Sequence, residues 1–63
     1  SMGIFAAFFA GELEPGQRIL RDGEAHQVEM TERLDAARVR ITLDNGRRYV
    51  WARDTLVQIE VER

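Results

Sequence analysis

The chain has 63 residues, no Cys, one His and a formal net charge of −2. Disulfides and thiolate metal sites are therefore excluded, His26 alone gives a structural zinc no ligand set, and no cofactor is expected. A core in so short a chain supplies roughly 3–5 kcal/mol, which leaves oligomerisation as the usual remaining aid, while the near-balanced charge argues against a generic nucleic-acid binder.

Ser1 ahead of Met2 is read as an addition to the native start. The apolar run Ile4 to Ala10 is too short for a membrane span, which needs about 20 residues. No basic region precedes it as in a signal peptide. These features, with the lack of Cys, point to a cytoplasmic protein without a membrane partner. Gly3 to Ala10 reads GIFAAFFA. Ala and Phe without a β-branched run favour a short helix, stopped by Gly11. On a helix Ile4, Phe5, Phe8 and Phe9 form one stripe, with Ala6, Ala7 and Ala10 behind. This segment and its linker, residues 1–15, are set apart from a β unit at residues 16–63.

Pro15-Gly16 is a turn, and from there the period becomes two. Arg18 to Arg21 reads as a first strand, closed by the hairpin pair Asp22-Gly23. His26 to Thr31 alternates, with Val28 and Met30 on one face. Arg38 to Leu43 is the clearest strand: Val39, Ile41 and Leu43 point in, Arg38, Arg40 and Thr42 out. Asp44-Asn45-Gly46 is a strong hairpin turn. Arg48 to Ala52 follows, then one helical turn at residues 53–56. A last strand places Val57, Ile59 and Val61 on one face. Five short strands and a helical turn describe an all-β, five-stranded small barrel with a short N-terminal helical segment.

The stretches GQRILRDGE, VRITLDNGRRYVW and ARDTLVQIEV resemble Src-homology-three-like small barrels over residues 16–61. The likeness is to many small bacterial and phage barrels, and more distantly to Tudor and Sm-like barrels. It implies a fold only, and no functional residue is carried over from it.

Two registers are open to the hairpin after Leu43. A two-residue loop at Asn45-Gly46 sets Tyr49 and Trp51 on the outer face among the arginines, a surface of the kind that stacks bases. A three-residue loop with Gly46 left-handed sets Ile41 opposite Tyr49 and Val39 opposite Trp51, facing the core. Solvation favours the second. Burying an aromatic side chain contributes about 1.5–3 kcal/mol, and the first register would turn Arg48 inward at greater cost.

Arg38, Arg40 and Arg48 then share an outward face, a candidate anion or nucleic-acid patch. The competing reading is a solvated sheet face on which Glu29 lies opposite Arg40. The carboxylates form no catalytic motif, and there is no phosphate loop or nucleophile elbow. The chain is not expected to be an enzyme. The stripe Ile4, Phe5, Phe8 and Phe9 either plugs the end of its own barrel, packs on another subunit or partner, or does both. The expected function is a non-catalytic protein-interaction or assembly module that self-associates through this stripe. The alternative is a nucleic-acid-binding accessory protein using Arg38, Arg40 and Arg48.

Overall fold

Alternation of apolar and polar residues builds strands wherever it is sustained, and the computed structural model, which describes residues 3–62, contains six of them. They are β1 (Ile4–Phe9), β2 (Arg18–Arg21), β3 (Glu24–Arg33), β4 (Arg38–Leu43), β5 (Arg48–Ala52) and β6 (Leu56–Glu62). Ser1, Met2 and Arg63, and the reading of Ser1 as an added residue, lie outside the described residues. The strands form one open antiparallel sheet in the order β1-β6-β2-β3-β4-β5. No helix among the described residues is long and apolar enough to cross a membrane.

The largest correction concerns the N-terminal segment. Residues 4–9 are a strand, not a helix, and the strand count is six rather than five. The only helical structure there is a single 3-10 turn at Ala10–Glu12. A helix this short is marginal because nucleation fixes several residues for one hydrogen bond. The strand instead pairs with β6 from Ile4 opposite Glu62 to Phe9 opposite Leu56. It also covers an edge that β2 cannot, since β2 lies on the other side of β6 and meets it only at Arg18–Glu60 and Ile19–Ile59. Aromatic residues suit a pleated, half-buried surface as readily as a helix.

Two turns follow the sequence closely. Asp22 (φ 52°) and Gly23 (φ 80°) both adopt the left-handed conformation that a two-residue hairpin needs. At the β4–β5 hairpin the Gly46 N–H donates to Leu43 O at 3.0 Å, and the Leu43 N–H to Arg47 O at 2.9 Å. With Gly46 at φ 86° this is the three-residue loop, and it sets Ile41 opposite Tyr49 and Val39 opposite Trp51. The helical turn expected at residues 53–56 is shorter. Thr55 N–H donates to Ala52 O at 3.0 Å, and Leu56 already belongs to β6.

β3 is the spine. Its first half pairs with β2 and its second half with β4. Between them Val28 faces Leu43 while Met30 faces Thr42, so Glu29 is an extra residue in the ladder. Such a bulge bends the strand and inverts the faces beyond it. Val28 is fully buried and Met30 exposed, so the two do not share a face as the alternation predicted.

The core comprises Ala10, Leu13, Ile19, Val28, Val39, Ile41, Leu43, Val57 and Ile59, and no polar side chain is buried among the described residues. Ala10 and Leu13 reach it because the 3-10 turn is pinned to the β5–β6 connection. Ala10 N–H donates to Thr55 O at 2.7 Å and Gly11 N–H to Arg53 O at 2.9 Å. A Cβ at Gly11 would lie 3.3 Å from that same carbonyl oxygen, a tight contact that a larger residue could make only if the connection shifted by a few tenths of an ångström.

The β3–β4 connection is held by one carboxylate. Asp35 accepts the N–H of Ala37 at 2.9 Å, the N–H of Arg38 at 2.8 Å and Arg38 Nε at 3.0 Å. The Ala37 hydrogen bond, then those of Arg38, hold its pKa below the ordinary 3.8. The unfolded chain therefore binds this proton more readily than the folded one. The contribution is present above the ordinary carboxylate range and fades as pH falls through the folded value. Asp35→Ala should flatten the acid limb of melting temperature against pH and leave its neutral-to-alkaline shape unchanged. An unchanged acid limb would rule out this role.

Candidate functional site

The sheet has two edges, and they are treated differently. β5 is flanked by cations, with Arg47 and Arg48 at one end and Arg53 at the other. Charged residues of this kind discourage another chain from pairing there. β1 reads IFAAFF, with no charge and no Pro. It pairs with β6 on one side only.

The register sorts its side chains. Phe8 opposes Val57 and Ala6 opposes Ile59, so both lie on the core face. Phe8 packs against the buried cluster. Phe9 opposes Leu56, Ala7 opposes Gln58 and Phe5 opposes Glu60, on the outer face. The helical stripe is thereby split: Phe5 and Phe9 share the outer face at opposite ends of the strand, Phe8 goes to the core, and Ile4 stands exposed beyond the ladder irregularity between Ile4 and Phe5. Phe9 is 47% exposed and Leu56 65%. They give the outer face beside the edge an apolar surface. Next to it Arg18 Nε donates to Glu60 Oε1 at 2.9 Å.

Backbone polarity follows the same alternation. Ala10 N–H donates to Thr55 O, just ahead of β6, so the N–H and C=O groups of Phe8 and Ala6 point into β6, while those of Phe5, Ala7 and Phe9 point to the open side. The contact from Phe9 N–H to Glu12 Oε1, at 3.4 Å, agrees with this direction. β1 thus presents an unpaired peptide edge next to an outer face bearing Phe5, Ala7 and Phe9. A helix over this segment would show no such edge. The signal for it is that β6, rich in Val and Ile, needs a partner on each side.

The arginine face is real but largely neutralised. Arg38 lies opposite Ala52, Arg40 opposite Val50 and Arg48 opposite Thr42, so the three do share one face. Arg38 Nη2 lies 2.9 Å from Asp35 Oδ2, and Arg40 Nη1 3.3 Å from Glu32 Oε2. The partner of Arg40 is Glu32, not Glu29: the ladder set by Val28–Leu43 would bring Thr31 opposite Arg40, and the extra residue of the β3 bulge moves the pairing on to Glu32. Exposed Val50 and Met30 on this face dilute it further.

Tyr49 and Trp51 lie on the core side, as the three-residue loop requires, but only half-buried at its rim. Their rings stack with centroids 4.9 Å apart. The Arg21 guanidinium carbon sits 4.9 Å from the first ring and 5.1 Å from the second. Its Nε is buried without a hydrogen-bond partner among the described residues, so the ring faces take the place of an acceptor. A cleft of about 180 Å³ adjoins this stack, lined by Arg21, Asp22, Glu24, His26, Asn45, Arg47 and Tyr49. In it His26 Nε2 lies 3.3 Å from Glu24 Oε2 and Nδ1 3.4 Å from Asp44 Oδ1, and Arg47 lies 3.6 Å from Asp22. Arg47 and Asp22 thus pair within the cleft, and its aromatic platform is occupied by the chain's own arginine.

No protein-family model, curated protein or solved structure matches the chain.

Proposed function

We propose that this chain is a non-catalytic assembly module, a small Src-homology-three-like barrel that associates with itself through its N-terminal segment. The observation that carries the reading is the uncharged strand Ile4–Phe9, which lies at the sheet's edge and has exposed Phe9 and Leu56 beside it. Long apolar edges are normally blunted by charge, proline or a covering element. The other edge of this sheet follows that rule, and β1 does not. The barrel part of the reading is supported by the order β6-β2-β3-β4-β5 and by Arg21 at the end of β2 lying over Tyr49 and Trp51 of β5, which folds one half of the sheet across the other. Association then adds buried surface to a domain whose own core is small. On this reading the module is cytoplasmic and its partner is a second copy or another protein.

The residues to exchange are Phe5 and Phe9, because Phe8 reports on the fold. Light scattering across a concentration series should give a dimer or larger species for the parent. Phe9→Glu should be monomeric at the same concentrations with a melting temperature close to the parent's monomer. A parent that stays monomeric throughout, or a Phe9→Glu protein of unchanged mass, would overturn the assembly reading.

A further inference from the structure

We infer that the self-association is an antiparallel pairing of β1 with β1 of a second copy, centred on Ala7. This rests on the assembly reading and specifies its geometry. Three features of β1 select it. First, the open peptide groups belong to Phe5, Ala7 and Phe9, as the alternation anchored by the Ala10–Thr55 hydrogen bond requires. Second, an axis through Ala7 sets Phe5 of one copy opposite Phe9 of the other and Ala7 opposite Ala7. Every open group then meets an open group, and outer face continues as outer face. Moving the axis to Ala6 or Phe8 leaves fewer open residues matched. Third, the side chains on the outer face read large, small, large about Ala7. Two copies thus place aromatic next to aromatic at both ends, with the small residue at the close approach in the middle.

The occupant is a second copy rather than a charged strand, because residues 4–9 offer no side-chain charge to pair with one. The seam is short. Six residues at about 3.3 Å each make about 20 Å. A standard interface engages about 20–30 residues a side. The dimer is therefore concentration-dependent rather than permanent. At each end of the seam one copy's Glu12 must release its Phe9 N–H, a contact already long at 3.4 Å.

Ala7 supplies the test. Its N–H is unused within the fold, so Ala7→Pro is tolerated as proline is at sheet edges. The substitution removes two hydrogen bonds at the seam, one from each copy, and should raise the dimer dissociation constant at least about tenfold. A retained melting transition shows that the fold survives. Because the chain has no Cys, Ala7→Cys reads the axis directly. Facing Ala7 residues lie about 5.5 Å apart, within disulfide reach. Under oxidised glutathione Ala7→Cys should give a covalent dimer and Ala6→Cys should not. If the parent dimerises but Ala7→Cys fails to cross-link and Ala7→Pro dimerises as tightly, the edge geometry is overturned while self-association stands. Cross-linking through Ala6→Cys alone moves the axis and overturns the Ala7 register. A parent that is monomeric at every concentration overturns both.

Discussion

Ile41→Ala should leave the protein unfolded at room temperature. Ile41 is fully buried in the middle of β4, with β3 on one side and β5 on the other. Removing three carbons from such a position costs about 2–5 kcal/mol, counting both lost transfer energy and the cavity. A domain this small holds roughly 3–5 kcal/mol in its core. The two numbers are of the same size, so the folded population collapses rather than merely shrinks. Ile41→Val removes one carbon and should cost about 1 kcal/mol, giving a cooperative melt at lower temperature. Circular dichroism against temperature and urea separates the two. A well-folded Ile41→Ala protein would mean that the domain draws its stability from elsewhere, with association the first place to look.

Trp51→Ala should cost about 2–3 kcal/mol, less than the loss of a fully buried Trp because the ring is half-exposed. Three contributions disappear together. The ring no longer covers the rim of the core beside Val39, its cross-strand neighbour. The stack with Tyr49 is lost, worth about 0.5–1.5 kcal/mol beyond area. Arg21 keeps only one of its two aromatic faces and has a buried Nε with no hydrogen-bond partner. Trp51→Phe preserves a ring and should cost about 1 kcal/mol. The Arg21 contribution can be isolated in a double-mutant cycle of Arg21→Met with Trp51→Phe, where a coupling near 0.5–1 kcal/mol is expected. Additive effects would show that the guanidinium only rests beside the rings. Trp51 is the only tryptophan, so the parent's fluorescence reports the environment of this stack directly.

The parts of the fold that were legible in the sequence are those where one physical term dominates. In β4 and β5 the alternation is unbroken and Asp44-Asn45-Gly46 marks the turn. The cost of turning Arg48 inward then decides the register, and Val39–Trp51 follows without further information. Asp22-Gly23 is legible for the same reason, since its two left-handed residues can form only a tight hairpin. β1 was not legible because its pattern carries no polar residue to mark a face. An all-apolar run is a helix or a strand according to what it packs on, and here the deciding partner, β6, lies about fifty residues away. The bulge at Glu29 was hidden differently. One extra residue in a regular alternation looks like the alternation itself, yet it moves the residue opposite Arg40 from Thr31 to Glu32. For the candidate site, the sequence singles out Ile4, Phe5, Phe8 and Phe9 as one stripe. Its division into a core-facing Phe8 and an outward Phe5 and Phe9 needed the strand.

The pairing of β1 with β6 also decides how the domain meets mechanical load. Ile4 lies opposite Glu62, so the two ends of the described chain leave the sheet side by side. Tension drawn through them runs across the ladder, not along it. The rungs between β1 and β6 then break one at a time, as a zipper does, instead of sharing the force as they would in shear. The next resistance comes where β6 meets β2 at Glu60–Arg18 and Ile59–Ile19, so force entering from these ends peels β1 away first and reaches the core pair Ile19–Ile59 only afterwards.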